Sequence, residues 1–141
     1  LAHNGLTGCG GIGDWSTHQL EHDLGGVYDI AHGAGLAAVW GSWARYVYKE
    51  NPRRFAQFAE NVFGIEKIGT DEEVAIKGIE AMENFYKDIE MPISISETGI
   101  TLSEKDIEML AEKCSNNGTR YIGSFKKLFK EDMAKIYSMA K

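Results

Sequence analysis

Apolar residues recur at three- and four-residue steps along most of this chain, the period of an amphipathic helix. Leu36, Val39, Trp40, Trp43 and Val47 mark the first clear face. Asn51-Pro52 stops that helix and starts the next, with Asn51 as N-cap and Pro52 at the first helical position. Phe55, Phe58, Ala59, Val62 and Phe63 form the buried face of this second helix, and Gly64 is its stop. A further helix follows Thr70-Asp71, with Ala75, Ile79, Met82, Tyr86 and Ile89 inward and Pro92 beyond its end. Residues 91–101, with Pro92, Ser94, Ser96 and Gly99, read as a connecting loop. Ser103 caps a short helix carrying Ile107, Leu110, Ala111 and Cys114, and Asp106 completes a capping-box pattern. After the turn Ser115-Asn116-Asn117-Gly118, Ser124 is expected to cap the last helix, with Phe125, Leu128, Phe129, Ile136 and Tyr137 on one face. No stretch alternates long enough to demand a strand, so the fold class is all-α, a helical bundle.

The 141 residues suit one domain, with no repeat or linker dividing them. At 43% hydrophobic and 11% aromatic the chain can bury a core. A net charge of −6 argues against a nucleic-acid partner. The longest weakly polar stretch, Gly33 to Ala44, falls short of the roughly 20 residues a membrane helix needs. Two cysteines, Cys9 and Cys114, do not make a secreted disulfide scaffold, and a cytoplasmic, reducing compartment is expected. The first residue is Leu1 rather than Met, with no signal-peptide pattern, which suggests a piece of a longer protein. The glycines Gly8, Gly10, Gly11 and Gly13 match neither the P-loop nor the Rossmann fingerprint, since no Lys-Ser/Thr follows and no strand precedes.

The chemistry concentrates in three histidines. His18 and His22 are four apart and share a helix face, and His32 follows a short turn at Asp29-Ile30-Ala31 and opens the next helix. Such an arrangement brings imidazoles around one ion, and neutral imidazole suits Zn²⁺ or Fe²⁺. The string His18-Gln19-Leu20-Glu21-His22 also matches H-x-x-E-H, the inverted zinc-peptidase motif, in which the Glu activates water and a downstream Glu is a further ligand. Glu80, Glu83 and Glu90 lie in an acidic helix, but nothing marks one of them for that role.

A longer pattern outweighs the peptidase match. Asn4-Gly5-Leu6-Thr7-Gly8, Asp14-Trp15-Ser16-Thr17-His18, His22 and Tyr28-Asp29-Ile30-Ala31-His32-Gly33 resemble the iron-containing alcohol dehydrogenase family, in its butanol dehydrogenase-like branch. Gly118-Thr119-Arg120, Gly123 to Leu128 and Ile136-Tyr137 extend the resemblance along the chain. It implies that residues 1–141 are the family's C-terminal α-helical metal-binding domain, akin to that of dehydroquinate synthase-like proteins, with the nucleotide-binding domain upstream. It also implies a divalent metal, Fe²⁺ or Zn²⁺, held by one Asp and three His. His18 and His32 match two of those ligands, and the Asp and the remaining His belong to an earlier helix. His22 matches a non-ligand histidine beside the nicotinamide and substrate, and is the residue expected to touch cofactor and relay a proton. The implied activity is NAD(P)H-linked interconversion of primary alcohols and aldehydes by the full-length protein, commonly a homo-oligomer. The isolated chain, with two ligands, is expected to be inactive. A glycerol or other polyol dehydrogenase shares the same metal chemistry.

Other residues are assigned by their surroundings in sequence. Trp40 and Trp43 lie on an apolar stripe and read as core or interface, whereas Trp15, one turn before His18, is a pocket candidate. Cys114 is expected to be buried packing, Cys9 is undecided, and His3 has no partner.

Overall fold

A computed structural model describes residues 11–141, so His3, Cys9 and the segment Asn4 to Gly8 lie outside the described residues. Six helices follow one another: α1 (Ser16–Tyr28), α2 (His32–Val47), α3 (Pro52–Phe63), α4 (Asp71–Asp88), α5 (Glu104–Cys114) and α6 (Lys130–Ala140). Single 3₁₀ turns at Tyr48–Glu50 and Ser96–Thr98 join some of them. The all-α expectation holds. Among the described residues the only β pairing is one antiparallel bridge between Ile122 and Leu128.

Local signals set the middle helices. The Asn51 side chain accepts from the Arg54 N–H at 3.2 Å, Pro52 opens α3, and Gly64 closes it in the left-handed region at φ 65°. Thr70 and Glu73 form a reciprocal capping box on α4, and Ser103 and Asp106 do the same on α5. Helices α3 and α4 pack closely because Gly78 faces Ala59, where an added Cβ would come within 2.6 Å of the Ala59 Cβ. Ala56, Ala59 and Val74 form a small buried cluster there. The outer ends of the expected faces are wetter than the pattern implies: Val62 and Ile89 are exposed, and Met82 and Tyr86 are half-buried.

The main core draws on every helix. Leu20 and Leu24 of α1 meet Val39 and Val47 of α2, Ile79 of α4, Leu110 of α5, and Met133, Ile136 and Tyr137 of α6. Two polar contacts lock α1 into this core. The buried Tyr137 hydroxyl donates to the Leu20 carbonyl at 2.7 Å, and the Cys114 thiol reaches the Gln19 carbonyl at 3.5 Å. Burial pushes the Cys114 thiol up to about 12, so it stays protonated and packs as the sequence suggests. Arg45 of α2 pairs in bidentate fashion with Glu83 of α4 (Nη2 to Oε2 2.7 Å).

The expected start of the last helix is corrected. Ser124 does not cap it; α6 begins six residues later, at Lys130. Gly123 takes φ 84°, and the Asp14 carboxylate accepts the N–H groups of Ser124 (2.8 Å) and Phe125 (2.7 Å). A carboxylate from the start of α1 thus binds the backbone of 123–125 as a turn, 110 residues away in sequence. Leu128 is still buried, through the bridge with Ile122, while Phe129 is largely exposed. The N–H of Phe129, the N-cap residue of α6, is served instead by the Asp132 carboxylate, which accepts from it at 2.8 Å.

Candidate metal centre

The histidines sit where α1 turns into α2. Trp15 occupies the N-cap position of α1 but offers no capping side chain. Asp14 does the work from one residue further out, accepting from the Ser16 N–H at 2.8 Å and from the Ser16 hydroxyl. Its other oxygen is the one on Ser124 and Phe125, so this single carboxylate ties the start of α1 to the 123–125 turn. Burial would raise the Asp14 pKa, but the hydrogen bonds from Ser16, Phe125 and Ser124 outweigh it and hold the carboxyl below its ordinary range.

At its other end α1 stops on Asp29, whose φ of 55° is left-handed and whose N–H returns to the Gly25 carbonyl at 2.8 Å. After the three-residue link Asp29-Ile30-Ala31, α2 starts with His32 itself. The sharp reversal lays the first turn of α2 beside the middle of α1, so residues distant in sequence become neighbours.

All three expected imidazoles come together. The His18 and His32 ring centres are 5.3 Å apart, His22 and His32 5.5 Å, and His18 and His22 6.4 Å. Trp15 stands edge-on to His18 at 5.0 Å, which puts the pocket candidate of the sequence beside the cluster. His18 is half-buried; His22 and His32 are exposed. Desolvation, then the neighbouring His32 and His22, push the His18 pKa down against a smaller opposing pull from Glu21. His18 is therefore held neutral, the form that binds a metal. Trp40 and Trp43 lie elsewhere, half-buried against the core in an apolar groove with Phe55, Phe58 and Phe125.

A fourth residue joins the cluster, and sequence reasoning gave it another role. Glu21 is 2% exposed and its Oε2 bonds the Nδ1 of His32. Among the described residues, one group of side chains brings at least three potential ligand atoms within 4.8 Å of one another: Glu21, His22 and His32. This set differs from the His18 and His32 pair that the family resemblance implies. The ring distances favour neither set, because His32 is as near to His18 as to His22. The peptidase reading loses its base: a buried carboxylate already engaged by His32 is not free to activate water. The sequence did carry a signal for this burial, in Gly25 and Gly35, which leave room for Glu21 on both helices.

The chemistry of the donor set fits a divalent ion, with three imidazoles converging on a half-open corner and one held neutral. Among the described residues no helix is long and apolar enough to cross a membrane.

Known proteins resemble this chain in sequence and in fold. The family model for the Fe-containing alcohol dehydrogenase family, C-terminal, matches residues 5–141. The chain is 39% identical over 137 residues to the probable NADH-dependent butanol dehydrogenase 1 of Bacillus subtilis (strain 168), covering 96% of this chain and 34% of that protein. It is 32% identical over 138 residues to NADH-dependent butanol dehydrogenase A of Clostridium acetobutylicum, covering 97% of this chain and 35% of that protein. The crystal structure of NADH-dependent butanol dehydrogenase A from Thermotoga maritima superposes with a TM-score of 0.81 at 38% identity, over 91% of this chain and 33% of that one. The chain thus spans about a third of the length of the curated relatives it matches. Because sequence and fold agree over nearly all of its residues, the chain belongs to the Fe-containing alcohol dehydrogenase family, in the butanol dehydrogenase-like branch, and corresponds to that family's C-terminal domain.

Proposed function

We propose that this chain is the metal-bearing part of an NAD(P)H-linked dehydrogenase that interconverts primary alcohols and aldehydes. The observation that carries the reading is the meeting of His18, His22 and His32 across the α1–α2 turn. Its relatives named as butanol dehydrogenases support the substrate class. Those relatives are about three times as long, and this reading places nucleotide binding outside residues 1–141.

His18 and His32 are assigned as ligands to a divalent metal, Fe²⁺ or Zn²⁺. When bound, such an ion supplies Lewis acidity toward an alcohol or aldehyde oxygen. His22, one helical turn from His18 and exposed, is assigned to proton transfer at its imidazole, where it would also face the nicotinamide. Trp15 packs edge-on against the His18 ring and is assigned to the wall of the substrate pocket. Two protein ligands leave a catalytic site short of the usual three, so residues 1–141 alone should bind metal weakly and turn over no substrate.

In the full-length protein, His18→Ala and His32→Ala should each remove stoichiometric metal and abolish reduction of butanal by NADH or NADPH. His22→Ala should keep the metal, slow turnover and change its pH profile. Metal analysis and steady-state kinetics read both effects. Full activity in a metal-free His18→Ala enzyme ends the reading, and loss of metal from His22→Ala reassigns His22 as a ligand. Endopeptidase activity abolished by a chelator would return the inverted zinc-peptidase motif to favour.

A further inference from the structure

Glu21 is the only charged side chain among the described residues that is fully buried. Burying a carboxylate is costly unless a partner compensates it, and an apolar residue would fill the same space at less cost. The surroundings are nevertheless built to accept it. An added Cβ at Gly25 of α1 would come within 2.6 Å of Glu21 Oε1, and one at Gly35 of α2 within 2.7 Å of its Cγ and 2.8 Å of Oε1. Both glycines lie inside helices, where glycine is itself unfavourable relative to alanine. Two helices therefore give up a methyl group each at the one point where this side chain passes between them.

The two oxygens are thereby distinguished. Oε1 is enclosed by Gly25 and Gly35, while Oε2 meets the Nδ1 of His32.

We infer that Glu21 is a positioning residue, locked in a cradle of Gly25 and Gly35, that accepts the Nδ1–H of His32 and so leaves Nε2 as the metal-binding nitrogen. The inference rests on the metal assignment proposed above and adds to it the device that orients one ligand. A carboxylate behind a ligating histidine fixes the tautomer and the ring orientation and raises the basicity of the coordinating nitrogen. It also accounts for the proximity of Glu21 to His22 and His32 without making Glu21 a ligand.

The test is the affinity of the full-length protein for Zn²⁺ and Co²⁺, measured by chelator competition, together with the visible spectrum of the Co²⁺ form. Glu21→Gln keeps the shape and a carbonyl acceptor and should weaken binding about tenfold; Glu21→Ala should weaken it toward a hundredfold. Both should retain a Co²⁺ spectrum of unchanged coordination number. Gly35→Ala should weaken binding about tenfold by displacing Glu21, yet cost nothing further in the Glu21→Ala background, where the methyl group has room. Circular dichroism and metal-free melting temperatures confirm folding, and Glu21→Gln carries the test if the smaller variant does not fold. Affinities within twofold of wild type for Glu21→Gln and Glu21→Ala overturn the inference. So does a loss beyond a thousandfold with a changed Co²⁺ coordination number, which would make Glu21 a ligand. Wild-type protein that binds no divalent metal would instead end the functional reading, whereas normal wild-type binding with unaffected Glu21 variants ends this inference alone.

Discussion

Helices α3 and α4, and helices α1 and α2, are two pairs of consecutive helices made in opposite ways. The α3–α4 pair is held by local devices: Asn51 and Pro52 at one start, Gly64 at the stop, and the Thr70–Glu73 box at the next start. Its inner face is small and apolar, and its charges lie outside, as in the Lys67–Asp71 pair at 2.9 Å. The α1–α2 pair lacks side-chain caps at both starts, Trp15 and Ala31, and buries a carboxylate between the helices. It is fastened from outside by Asp14 on the 123–125 turn, by Tyr137 on Leu20 and by Cys114 on Gln19. The pair built on local caps carries none of the histidines. The pair without such caps carries them, and departures from local consistency of this kind are expected at functional sites.

If the division of labour is real, damage to the scaffold should lower stability and leave metal binding intact. Gly78→Leu should have the largest effect, because a side chain there meets the Cβ and the backbone of Ala59 and must force α3 from α4. A loss of about 3 kcal/mol is expected in urea unfolding, with unchanged metal affinity in the folded protein. A parallel loss of metal affinity would erase the distinction between the pairs.

Asp14→Asn should cost about 2 kcal/mol at neutral pH, since it removes a charged acceptor shared by Ser16, Ser124 and Phe125. The Asp14 pKa is lowered on folding. Its contribution is therefore complete above the unfolded value of about 3.9 and is lost as pH falls from there through the folded value. Unfolding curves from pH 7 to pH 2 should show wild type and variant converging below about pH 4. A gap independent of pH would mean that the Asp14 charge is not what fastens α1. The smallest change is expected from Thr70→Ala, about 1 kcal/mol in thermal unfolding, with no change at the histidine corner. A null result would show that the cap is redundant with the packing of α3 on α4.

What could be read from the sequence follows the same division. Asn51, Pro52, Gly64, Thr70 and Ser103 act within three or four residues of their targets, so their roles were legible in one dimension. The i, i+4 spacing of His18 and His22 and the turn before His32 were legible for the same reason. Ser124 was misread because its partner, Asp14, lies 110 residues away, and no local pattern shows a donor being claimed at that range. Phe125 and Leu128 keep a helical spacing, but Leu128 reaches the core through a bridge rather than a helix face. Glu21 looked like a water-activating base because the five-residue motif says nothing of Gly35, fourteen positions on and on another helix.

The Tyr137–Leu20 hydrogen bond joins residues 117 apart and ties the middle of α1 to α6. During synthesis on a ribosome, α1 and α2 are made long before residue 137. Until Tyr137 arrives, the helix bearing His18, Glu21 and His22 lacks one of the contacts that tie it to the core. The histidine corner is therefore among the first parts of this chain to be made, while one of the contacts that hold α1 in the core can form only after nearly the whole chain is out.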